Sequence, residues 1–120
     1  MNRPDVVITG MGIVSSLGTG LDVHWQHLLK KVTGIQRAPH AWLETPLQYA
    51  GRVEGDALPP DTPDSILKQQ RFMSPSSRFG LGAVSEAVKQ SGLDLLAMPP
   101  ERKALYLGTG DYSKVGYDDY

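Results

Sequence analysis

Near its start the chain carries a run of β-branched residues, Val6-Val7-Ile8-Thr9, which then breaks into glycines at positions 10, 12 and 18. Such a run favours a buried strand. Residues 5–11 therefore predict a first strand that enters a tight turn, with a helix beyond it. Apolar positions then recur at Leu21, Trp25, Leu28, Leu29 and Val32, one stripe at helical spacing. This predicts a first helix over Leu21–Lys31. Asp22 suits its N-cap, Lys30 and Lys31 suit the negative end of its dipole, and Gly34 suits the C′ position.

The pattern then loosens. Residues 35–48 contain Pro39 and Pro46 and read as irregular, with Trp42 at the surface. Gln48–Val53 predicts a short second strand. Residues 54–65 carry Pro59, Pro60 and Pro63 among Glu54, Asp56, Asp61 and Asp64. That composition predicts a surface loop and not a domain boundary, since too little chain lies on either side for two cores. Ile66–Met73 suggests a helical turn carrying Lys68 and Arg71. Pro75 marks a restart, Ser76 or Ser77 a cap, and Gly92 the end of a second helix reaching about Ser91.

This second helix has an unusual apolar set: Gly80, Gly82, Ala83, Val84, Ala87 and Val88. A glycine inside a helix costs about 1 kcal/mol relative to alanine. Close approach of another backbone is the compensation expected, which predicts a central, mostly buried helix under a sheet. Leu93–Leu96 and Pro99-Pro100 lead out. Lys103–Gly108 predicts a third strand, again ending in glycines, and residues 111–120 are polar with three tyrosines. The order β-α-(β)-α-β implies an α/β sheet with helices packed on at least one face.

Length and composition narrow the function. A chain of 120 residues is one domain at most, and 13 glycines with 9 prolines imply many turns. The net charge of −1 gives no steering towards nucleic acid or an anionic membrane. No apolar run is long enough to span a bilayer, and a cytoplasmic location is the default expectation. The sequence has no cysteine. A disulfide framework, a thiolate zinc site and a cysteine nucleophile are therefore excluded within these residues.

The remaining candidate chemistry is sparse. Gly10-Met11-Gly12-Ile13-Val14-Ser15 half matches a dinucleotide fingerprint, but Ser15 replaces the third glycine and the helix begins only after Gly18. Nucleotide binding is thus a minor alternative. His24 and His27 lie three apart on the first helix and His40 lies in a loop, so no third metal ligand is placed and no metal is expected. Ser15, Ser16, Ser74, Ser76 and Ser77 lie outside any Gly-x-Ser-x-Gly elbow and read as turn and cap serines. Asp118-Asp119 reads as a solvated end.

Taken together, Val6 through Gly18 resembles the opening of the β-ketoacyl-acyl carrier protein synthases, the condensing enzymes of fatty-acid and polyketide synthesis. Trp25-Gln26-His27-Leu28-Leu29, Thr33-Gly34-Ile35, Tyr49-Ala50-Gly51-Arg52-Val53, Arg78-Phe79, Ala87-Val88, Ser91-Gly92-Leu93-Asp94-Leu95 and Leu107-Gly108-Thr109-Gly110 resemble further family segments in order. The resemblance implies the N-terminal part of a thiolase-like fold, with residues 1–120 as a single partial domain. It implies acyl carrier protein and a second condensing-enzyme subunit, in a homodimer or heterodimer, as partners, and no cofactor. It also implies that Gly108, Thr109, Gly110 and Asp111 lie beside an acyl-chain pocket. The family's cysteine nucleophile and its two catalytic histidines match nothing here, so no catalytic residue is assigned and the chain alone is expected to be non-catalytic. Asp111 departs from the small or apolar residue usual after Gly-Thr-Gly. An unpaired carboxylate is costly to bury against an acyl chain, which suits a divergent, chain-length-factor-like partner of a full synthase.

Overall fold

Local chemistry defines the longest element. Ser74 caps it, its Oγ accepting from the Ser77 N–H at 3.2 Å, and Pro75 occupies the first helical position, where a missing N–H costs nothing. Helix α3 (Pro75–Ser91) then runs to Gly92, whose φ of 65° gives the left-handed exit. The expected end at Ser91 holds, but the helix starts earlier than expected, because the cap is Ser74 and not Ser76 or Ser77. Those two hydroxyls instead sit 2.9 Å from the Ser74 oxygen.

The computed structural model describes residues 5–38, 46, 48–55 and 57–108. Among them the elements run β1 (Val14–Ser15), β2 (Gly18–Thr19), α1 (Leu21–Leu29), β3 (Ile35–Arg37), β4 (Tyr49–Gly51), α2 (Asp64–Leu67) and α3, with 3-10 turns at Gln70–Phe72 and Pro100–Arg102. The strands form two separate antiparallel pairs. β1 meets β2 with Val14 opposite Thr19, and β3 meets β4 with Gln36 opposite Ala50. The molecule is thus mixed α/β. The expected second strand appears as β4, whereas β3 lies in a stretch expected to be irregular. No described helix is long and apolar enough to cross a membrane.

Two expected strands are not sheet-paired. Residues 5–13 and 103–108 carry no ladder, and Val6, Ile8, Leu105 and Tyr106 are exposed. A strand is completed by a neighbour's backbone, and neither run finds one among the described residues. In place of the sheet expected over α3, unpaired backbone passes over it among the described residues. A Cβ at Gly10 would overlap the Ala87 carbonyl, and one at Gly12 would overlap the Ala83 carbonyl. Gly82 is met in turn by the Ala57 carbonyl and by Val14. The small-residue face does admit close backbone approach, yet α3 is largely half-buried, with Gly82 its one fully buried residue.

Helix α1 begins and ends differently from expectation. Its N-cap is Gly20, at φ 96°, and Asp22 lies inside the first turn without capping. Its exit is a Schellman motif: the Val32 N–H reaches the His27 carbonyl at 2.9 Å and the Lys31 N–H reaches Leu28 at 3.0 Å. The left-handed position in that motif is Lys31, at φ 55°, and not Gly34. Gly34 serves packing instead, since a Cβ there would meet the Ser16 backbone at 2.7 Å. Among the described residues the buried apolar side chains are Ala38, Ala57 and Leu58, joined by His24. Two of them come from the proline-rich stretch expected to be a surface loop.

Candidate functional site

The chemistry-bearing side chains gather where the β1–β2 hairpin meets α1 and α3. His24 is 6% exposed, with Nε2 2.6 Å from Ser15 Oγ and Nδ1 2.8 Å from the Gly20 carbonyl oxygen. A carbonyl only accepts, so in neutral His24 Nδ1 carries the proton and Nε2 accepts from the Ser15 hydroxyl. Ser15 Oγ in turn accepts the Leu17 N–H at 3.1 Å. The sequence places no base beside Ser15; the hairpin brings one there by folding residue 15 back over the helix start. His27 bonds the Leu17 carbonyl at 2.6 Å. Both His24 nitrogens are thus occupied by protein oxygens, and the two histidines do not converge on one point. The Ser15–His24 pair has the donor–base arrangement of an activated serine. Here it fastens the hairpin to the helix.

A second cluster lies on α3. Glu86 accepts the Ile13 N–H at 3.0 Å with one carboxylate oxygen and the Leu21 N–H at 2.7 Å with the other. Gln90 accepts the Met11 N–H at 2.7 Å. These are the backbone donors of the glycine-rich turn and the first N–H of α1, the groups a phosphate would use. The Glu86 carboxylate and the Gln90 amide oxygen already hold them, which gives a physical reason against the nucleotide-binding alternative.

Beside Glu86 an open cleft of ≈ 690 Å³ is lined by Gly20, Leu21, Ala57, Leu58 and Gly82, among others. Ser15 and His24 are not among its walls. At its edge Lys89 pairs with Asp61 at 2.8 Å, both more than half exposed. The hydrogen bond from Lys89 holds the Asp61 carboxyl below its ordinary range, assisted by a backbone hydrogen bond and by the ammonium charge.

Of the expected acyl-pocket wall, Gly108 is exposed, with nothing within 4 Å of a Cβ built on it. Thr109, Gly110 and Asp111 lie outside the described residues, as do Trp42, His40, Asp118 and Asp119. The structure therefore brings together Ser15, His24, Glu86 and Gln90. Of these, the sequence draws attention only to Ser15 and His24, and to them separately.

The family model described as "Beta-ketoacyl synthase, N-terminal domain" matches residues 3–120. The chain belongs to the β-ketoacyl synthase family. Among similar family proteins is the 3-oxoacyl-[acyl-carrier-protein] synthase 2 of Staphylococcus aureus (strain COL), 31% identical over 106 residues, covering 88% of this chain and 25% of that protein. The protein of the same name from Vibrio harveyi is 27% identical over 111 residues, covering 92% of this chain and 26% of its own length. The chain thus spans about a quarter of the length of the curated relatives it matches. No solved structure matches it.

Proposed function

We propose that these 120 residues form the N-terminal scaffold of a β-ketoacyl-acyl carrier protein synthase with a thiolase-like fold. The observation that carries this reading is the family match over residues 3–120. The family reaction transfers an acyl group to a cysteine, decarboxylates malonyl-acyl carrier protein and joins the two carbon skeletons in fatty-acid or polyketide synthesis. This stretch contains no cysteine, and its buried histidine is tied to Ser15 and Gly20. Its own share of the work is positional. It sets the Gly12 turn against α3 and carries Gly108–Asp111 towards the acyl chain. Acyl carrier protein is the substrate carrier on this reading.

Asp111 supports a second reading, a chain-length-factor-like subunit that assembles with a full synthase and does no condensation itself. One chimaera tests the scaffold role. This chain replaces the matched quarter of the Staphylococcus aureus synthase, and condensation of acyl- and malonyl-acyl carrier protein is measured. The scaffold reading expects condensation to persist in the chimaera, and no product from the 120 residues alone. A chimaera that folds but does not condense overturns it. If Asp111→Gly then restores condensation, the second reading gains.

A further inference from the structure

We draw no further inference here: the strongest candidate, the open cleft between residues 57–60, the start of α1 and α3, has its Glu86 carboxylate and Gln90 amide oxygen already engaged by backbone N–H groups, and nothing in the structure shows what occupies the rest of it.

Discussion

Two stretches of this chain share one sequence signature and meet opposite fates. Val6-Val7-Ile8 leads to Gly10 and Gly12, and Leu105-Tyr106-Leu107 leads to Gly108. At Gly10 and Gly12 the backbone presses on α3 so closely that a single added carbon would overlap the Ala87 and Ala83 carbonyls. At Gly108 the same carbon would meet open space. An apolar run ending in glycine therefore announces that a backbone is able to come close to something. Whether it does depends on a second element with a matching face. Ala83, Ala87, Glu86 and Gln90 supply that face for the first run, and no described residue crowds Gly108.

The comparison breaks most sharply at Gly12. Gly12→Val should destabilise by at least about 1–3 kcal/mol through overpacking against backbone that cannot retreat, and unfolding in urea measures it. Gly108→Ala, measured alongside, should stay within about 0.5 kcal/mol. Equal losses at both sites would erase the distinction drawn here.

Next comes the carboxylate that pins the seated run. Glu86→Ala leaves the Ile13 and Leu21 N–H groups without their charged acceptor, at roughly 1.5–3 kcal/mol for hydrogen bonds to a charged group. Glu86→Gln keeps one acceptor oxygen and should lose less. Amide hydrogen exchange at Ile13 and Leu21 reads the effect directly, and unchanged protection in Glu86→Ala would mean that the contact does not hold the turn.

A smaller effect, of opposite sign, is expected at the exit of α1. Lys31 holds a left-handed conformation that suits glycine better, so Lys31→Gly should stabilise by about 1 kcal/mol, seen as a raised melting temperature. The smallest effect is at Asp61. Its carboxyl is held below the ordinary range by Lys89. Any stability it lends is therefore present above the unfolded carboxyl's pKa and fades as pH falls through the lower folded value, in the acid range. Because the pair is exposed, Asp61→Asn should lower the melting temperature only slightly at neutral pH, and not at all in acid below the folded carboxyl's titration, where the wild-type contribution is already lost.

The sequence made some of this legible, and the reason is locality. The ends of α3 were readable because Pro75 and Gly92 act within one turn of themselves. Which of three serines caps it was not readable, since Ser74, Ser76 and Ser77 offer the same hydroxyl. The strand at Tyr49–Gly51 was readable from its flanking pattern. Its partner Ile35–Arg37 was not, because three residues of mixed polarity become a strand only when another pairs with them. Proline and acid content concealed Ala57 and Leu58, which lie buried because α3 carries Gly82 opposite them. In the candidate site, Ser15 and His24 were each visible but their 2.6 Å meeting was not, since it depends on the hairpin's register. The expected acyl-pocket residues drew on the family resemblance alone.

The bond from the Ile13 amide to Glu86 joins residues 73 positions apart. During synthesis, at about 5–20 residues per second, the glycine turn would leave the ribosome roughly 4–15 s before its anchor is made. Throughout that interval Val6-Val7-Ile8 has neither a sheet partner nor the α3 side chains that steady the turn behind it. Apolar surface left open in that interval is the surface through which incompletely folded chains aggregate.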